Sequence, residues 1–369
     1  MSPMHIAFID IAYEYRADRP AHDAPLGGTT TALCFLAKEL AAAGHTATIF
    51  NRTQVPELAW GVPTLPLTEL TLLRSNTPDV VVFVGRWTPT MVQAVREYTT
   101  APRVAWMHQH QFDDQFVQPL PDFSHIVFVS DWQARQCAPH VPAGTEWLVI
   151  RNAISLFCQD MFARGCDIVA QKDPHLCLYV GDTPRGLLHM PAVWERLKKH
   201  HPLLKLEIYS RPVVSDNADE NNHFATQLRA MPGVAHVGAV GQQRLAACMK
   251  HAAFLLSPNP YPETSCLVLA DALAAGMLAI TTNRAALPET AAGFATHVPI
   301  AAHDDPCAFR QPLSIDDFAS AALAQMEAWE KGLWPHNATT NDTLTQQTVH
   351  FNTHHRWHLR QREWVALCA

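Results

Sequence analysis

Three side chains of this chain are of a type and spacing that could do chemistry together. Glu263 sits in a Pro-rich loop, SPNPYPE, and Asp271 follows it by eight residues inside an apolar run. Arg185 lies in Gly181-Asp182-Thr183-Pro184-Arg185-Gly186-Leu187, between an apolar run and a helical one. A guanidinium suits two phosphate oxygens at once. Glu263 reads either as a helix-end charge favoured by the dipole or as an acceptor for hydroxyls. Asp271 is poor for a helix interior and costly to bury unpaired. It reads either as a solvated position or as the acceptor for a diol such as a ribose.

Helix starts stand beside these residues. Thr264 or Ser265 is expected to cap a helix over 266–275, leaving the amides of Ser265, Cys266 and Leu267 to meet an anion. Gly27 and Gly28 precede a helix expected over 29–43, where backbone can approach a phosphate closely. The Arg185 loop is read as opening a helix over 186–201. Three anion-competent helix starts are more specific together than any one alone.

The elements that must position them alternate along the chain. Apolar runs predict strands over 5–10, 45–50, 80–85, 103–108, 126–130 and 146–150, with helical periodicity over 29–43 and from Asp131. The pattern restarts with strands over 175–181, 204–210, 234–237, 253–257 and 278–281. Helices are expected between them over 222–231 and 245–250, and later over 314–331. This is a doubly wound parallel α/β architecture repeated twice. The expected division is 1–155, 156–344 and a terminal helix over 345–369 returning to the first domain. Ligands of such sheets sit beyond the carboxyl ends of the strands, here expected in a cleft between two facing domains.

Composition narrows the function. The 369 residues carry a net charge of −7, which argues against a general nucleic-acid or polybasic membrane binder. Nine cysteines without paired spacing read as free thiols. The 21 histidines include no H-E-x-x-H, and the close pairs His108/His110 and His354/His355 read as ordinary rather than metal-ligating. No apolar stretch has the length of a membrane span, and the start of the chain reads as a strand rather than a signal peptide. A cytoplasmic setting is expected, with room for peripheral contact at the inner membrane face.

Over nearly its whole length the chain resembles the family 4 retaining glycosyltransferases of the GT-B fold. Residues 258–289 are similar to that family's P-S-x-x-E-x7-E signature with its following A-x-G and G-x-x-E. Residues 178–187 resemble its V-G-R…K-G motif, and Gly27-Gly28 through Gly44-His45 its N-terminal G-G…G-H. Residues 128–130 and 149–152 resemble its V-S strand and its linker between domains. The resemblance implies two Rossmann-like domains and transfer of a sugar, with retention, from a nucleotide-diphosphate sugar to a hydroxyl of a carbohydrate-type acceptor. It implies Arg185, Glu263 and His108 at the reacting centre, with Arg185 on the diphosphate and His108 beside the transferred sugar. Gly27, Gly28, Thr264, Ser265, Cys266 and Leu267 would hold the donor phosphates, Asp271 the ribose, and Val240 would lie near the base. The donor would be a UDP- or GDP-sugar, with no metal and no further cofactor. Two departures stand out: Asp271 replaces the family's second Glu, and Asp182 stands where many members carry a diphosphate-binding Arg. A degenerate glycan- or partner-binding protein and a GT-B epimerase or hydrolase are the alternative readings. Acceptor contacts are expected on the loops over 13–26 and 111–121, including Tyr13, Tyr15, Arg16, Phe112 and Asp113.

Overall fold

A computed structural model describes residues 2–110, 117–211, 224, 226–228, 230–301, 305, 313–332 and 339–369. Phe112, Asp113 and residues 222, 223, 225 and 229 of the helix expected over 222–231 lie outside the described residues. The chain forms two compact units, 1–156 with 356–369, and 157–355.

The first unit is an eight-stranded sheet. Its strands are β1 (His5–Ile9), β2 (Thr46–Asn51), β3 (Glu57–Ala59), β4 (Val62–Pro66), β5 (Val80–Val84), β6 (Arg103–Trp106), β7 (His125–Phe128) and β8 (Glu146–Val149). The order is β3-β4-β2-β1-β5-β6-β7-β8, and every pair is parallel except β3 with β4. β5 and, after His5, β1 are runs of apolar residues because helices cover parallel strands on both faces. The small hairpin β3–β4 was not expected. Ala59 pairs with Val62 around Trp60 and Gly61, both at positive φ, which is the two-residue turn that suits strand twist. The helix Pro89–Tyr98 was also not expected; Thr88 caps it by accepting from the Met91 amide.

The second unit carries β9 (Asp173–Val180), β10 (Lys205–Tyr209), β11 (Val234–His236), β12 (Ala252–Ser257), β13 (Leu278–Thr282) and β14 (Thr296–Val298). Their order is β11-β10-β9-β12-β13-β14, all parallel. Its core joins Tyr179, Trp194, Ile208, Phe254, Ile280 and Phe318.

The end of the chain differs from the single helix expected over 345–369. Two helices occur, Thr340–His354 and Trp357–Cys368, separated where His355 and Arg356 leave helical geometry. The first belongs to the second unit: the buried Gln347 amide donates to the carbonyls of Leu273 and Met277 at 3.0 and 2.8 Å. The second belongs to the first unit, with Trp357 6.3 Å from Phe35 and Trp364 5.0 Å from Trp106 between ring centres. The switch therefore falls at 355 rather than 344, because apolar and amide contacts of 340–354 already fill the second unit.

Candidate functional site

In each sheet the strand order reverses at one place, between β1 and β5 in the first unit and between β9 and β12 in the second. At such a reversal the following loops part and leave a crevice at the carboxyl ends. The two sequence stretches singled out around Arg185 and Glu263 are the loops that follow β9 and β12.

Gly186 makes those two loops touch. Its φ of +101° is left-handed, and a Cβ there would lie 2.1 Å from the carbonyl oxygen of Pro258. Only glycine admits that approach without a shift. The turn is tighter than the helix expected over 186–201. Short 3₁₀ turns at Thr183–Arg185 and Leu187–His189 precede the helix Met190–His200, since Gly186 breaks helical geometry and Pro191 restarts it. Arg185 is thereby aimed at the neighbouring loop. Its Nε donates to Oε1 of Glu263 at 2.5 Å, and its guanidinium carbon lies 5.0 Å from the Tyr261 ring centre. Glu263 is buried, and its charge holds the Arg185 guanidinium well above its ordinary pKa. With Nε engaged, the two terminal nitrogens of Arg185 remain on the outer edge of the fork.

Buried polar groups fix Glu263 from behind. Asn259 Nδ2 donates to the same Oε1 at 3.3 Å, and Asn259 Oδ1 accepts from the Tyr261 amide at 2.9 Å. Thr282, at the end of β13, donates to the Asn259 carbonyl at 2.6 Å. The fully buried Arg284 donates from Nε to the Pro260 carbonyl at 3.2 Å. The Pro-rich loop is thus hydrogen-bonded along its path, as a buried backbone must be.

The helix after this loop is Leu267–Ala274, with Cys266 in the capping position and no side-chain cap. Thr264 and Ser265 therefore do not cap it. Thr264 is buried beside Glu263, and Cys266 leaves the extended region only at the first helical residue. The uncapped amides are accordingly those of Leu267 and its successors, one to two positions later than expected. Burial pushes the Cys266 thiol up to about 12, so it stays protonated. Asp271 is buried rather than solvated, at 4% exposure. Val240 lies in the loop after β11, where the amides of Val237 and Gly238 donate to the Ile208 carbonyl.

In the first unit Gly27 is the extended N-cap of the helix Gly28–Ala42, and both glycines are exposed. A Cβ on Gly85, just past β5, would lie 3.0 Å from the Thr29 side chain, so the first turn of that helix abuts the strand end. His108 follows β6, its ring 4.8 Å from that of Trp106 and its Nε2 sealed from solvent. Burial pushes its pKa down to about 3, leaving a neutral imidazole. Tyr15 is not an exposed acceptor contact: it is buried and donates to Asp10 at 2.9 Å.

Gln133 was not among the residues singled out in the sequence. It is fully buried, donates to the carbonyls of Met107 and Gln109 at 3.2 and 2.8 Å, and accepts from the Val129 amide. It clamps the backbone on either side of His108. Its position three residues after the capping Ser130 matches a capping box, a signal that was available. Arg284 carries no such local signal, because its partners are remote backbone groups.

A surface cavity of about 520 Å³ lies beside the helix Pro89–Tyr98, lined by Thr90, Gln93, Glu97, Gln118 and Asp122. It contains none of the residues above, and the site rests on converging polar groups rather than on volume. Among the described residues no group of three or more His, Cys, Asp or Glu side chains could hold a metal ion. Nor is any helix among them long and apolar enough to cross a membrane.

No family model matches the sequence, and no curated protein matches it. Solved structures do. A glycosyltransferase from Rickettsia africae superposes with a TM-score of 0.74 at 11% identity, covering 100% of this chain and 98% of that one. Sucrose-phosphate synthase from Thermosynechococcus elongatus gives 0.70 at 17% identity, covering 98% and 97%. HepE of Anabaena, solved with UDP and glucose, gives 0.68 at 13% identity, covering 99% of each chain. The fold is that of the GT-B glycosyltransferases. At these identities the likeness speaks for the fold alone, so the chemistry must come from the site.

Proposed function

We propose that this chain is a glycosyltransferase of the family 4 type, moving a sugar from a nucleotide-diphosphate sugar to a hydroxyl acceptor with retention and without a metal. The observation that carries the reading is the Arg185–Glu263 pair, held at the β9/β12 reversal by the contact of Gly186 with Pro258. Anion-binding and hydroxyl-accepting groups are placed side by side there, as a donor with a diphosphate next to a sugar ring requires. That the structural neighbour HepE holds UDP and UDP-glucose supports a nucleotide-sugar donor.

In this reading the outer edge of Arg185 and the amides from Leu267 onward take the diphosphate and stabilise the charge that grows as the glycosidic bond breaks. Glu263 accepts hydroxyls of the donor sugar. Asp271 accepts the ribose diol, and the loop bearing Val240 lies by the base. Gly27 and Gly28 offer backbone to the phosphates, and neutral His108 accepts or donates a hydrogen bond beside the transferred sugar. The acceptor is a glycan, a lipid-linked saccharide or a small hydroxylated molecule, and the setting is the cytoplasm.

The test is a thermal-shift panel of UDP-, GDP- and ADP-sugars, because a bound ligand raises apparent stability by mass action. NMR of the product formed from the stabilising donor then reads the anomeric configuration. Inversion of the anomeric centre sinks the retaining assignment. Free sugar or an epimer formed without acceptor favours the hydrolase or epimerase reading instead. Absence of any shift favours a degenerate binding protein.

A further inference from the structure

The second cation that a diphosphate calls for is missing where sequence likeness would put it, at Asp182. The structure shows what Asp182 does instead. Arg211, just past the end of β10, donates from Nε to Oδ1 of Asp182 at 3.1 Å and from Nη2 to Oδ2. Arg185 Nη1 lies 3.7 Å from the same Oδ2. Tyr209 and Val180 are register partners on adjacent strands, so Arg211 and Asp182 leave the sheet side by side at its carboxyl edge. One carboxylate thus sits between two guanidiniums, and Arg185 continues the array to Glu263.

This array is open to solvent. The Arg211 and Arg185 side chains are 63% and 39% exposed and that of Asp182 26%. An ion pair in such a setting contributes little and is readily exchanged. A fork-shaped cation that binds both oxygens of a carboxylate binds two phosphate oxygens in the same way. A diphosphate also carries more charge and more acceptor oxygens than one carboxylate.

We propose that Asp182 is a stand-in anion that keeps Arg185 and Arg211 together until a nucleoside diphosphate displaces it, which makes Arg211 the second diphosphate-binding cation of the site. The inference rests on the donor site proposed above. Arg211 supplies from β10 the charge that the loop after β9 lacks. Asp182 competes with the phosphates rather than assisting them.

The two roles give opposite signs in one experiment. UDP, GDP and ADP are titrated by calorimetry into the full chain, wild type, Arg211→Ala and Asp182→Asn, and the nucleoside of the tightest binder is followed by saturation-transfer NMR. Arg211→Ala is expected to weaken diphosphate binding about tenfold. Asp182→Asn is expected to tighten it severalfold, and nucleoside binding is expected to stay unchanged in both. The half-exposed positions keep the variants folded, which their thermal melts check. Unchanged binding in Arg211→Ala, or unchanged or weaker binding in Asp182→Asn, overturns the inference and leaves the donor site standing. A wild type that takes up none of the three diphosphates overturns the donor site and the inference with it.

Discussion

Arg185 and Glu263, 78 positions apart in the chain, share one hydrogen bond of 2.5 Å, and the oxygen that accepts it also accepts from Asn259. The cation proposed for phosphate and the carboxylate proposed for hydroxyls are therefore set by the same contact. Disturbing either side moves both.

Removing the guanidinium should cost far more than shortening it. Arg185→Ala is expected to lower kcat by about 10²–10³, the loss seen when one donor to a developing charge is deleted. Arg185→Lys keeps the charge without the fork and should fall between. Glu263→Gln should raise KM for the donor while the fold is retained. Steady-state kinetics on the donor identified by thermal shift measures all three, and full activity in Arg185→Ala would remove Arg185 from the mechanism.

Gly186→Ala tests the junction of the two loops. The substitution forces a left-handed alanine and drives its Cβ into the Pro258 carbonyl, which should cost roughly 3 kcal/mol of stability. Gly27→Ala, at a φ of −67° with nothing within 4 Å of its Cβ, should cost less than about 1 kcal/mol. Denaturant titration separates them, and equal losses would mean that the close approach at Gly186 is not limiting.

His108 should be silent in the pH profile. Its pKa of about 3 comes from burial, so the ring is neutral at every pH above about 4. Between pH 5 and 8, kcat/KM of wild type and of His108→Gln should change in height but keep the same shape. A break near pH 6.5 that vanishes in His108→Gln would show a titrating imidazole.

Lys172 should make stability depend on alkaline pH. Its buried ammonium donates to the carbonyls of Met249 and Ala275 at 2.9 and 2.5 Å, and burial lowers its pKa from 10.5 to about 7. Between these values the unfolded chain binds more protons than the folded one, so this group's contribution to stability rises with pH and is flat below pH 7. Against Lys172→Met, which leaves two carbonyls without their donor at about 1–3 kcal/mol, the wild-type advantage should grow from pH 7 to pH 10. Melting temperatures of both proteins across that range measure it.

The strands were legible because parallel strands are continuous apolar runs, and the runs from Val80 and from Ala252 admit little else. Arg185 and Glu263 were legible as residue types at the right ends of such runs. Their contact was not, since it depends on Gly186 meeting a carbonyl 72 positions later (258 − 186), and no local pattern encodes that approach. The cap at Thr264 or Ser265 was misread because burial of Glu263 and Thr264 outranks capping preference. Arg211 carries no local signal, because it acts on a loop that belongs to another strand, whereas Gln133 carries one in its spacing from the capping Ser130. Asp271, one methylene shorter than the Glu of the likeness, is placed in the core by its neighbours Ala270, Ala272 and Leu273.

The first unit is not continuous in the chain: it needs 356–369 as well as 1–156. Trp357 and Trp364 complete its packing against Phe35 and Trp106. During synthesis the ribosome delivers 1–156 first, yet those residues wait, with the seats of two tryptophans open, while all of 157–355 emerges. The second unit can therefore mature before the first, reversing the usual order in which domains finish as they leave the tunnel. An assembly order written backwards in this way makes the helix Trp357–Cys368 the latch of the first unit: a nascent chain stopped short of Trp357 holds a whole second unit and an unsealed first one.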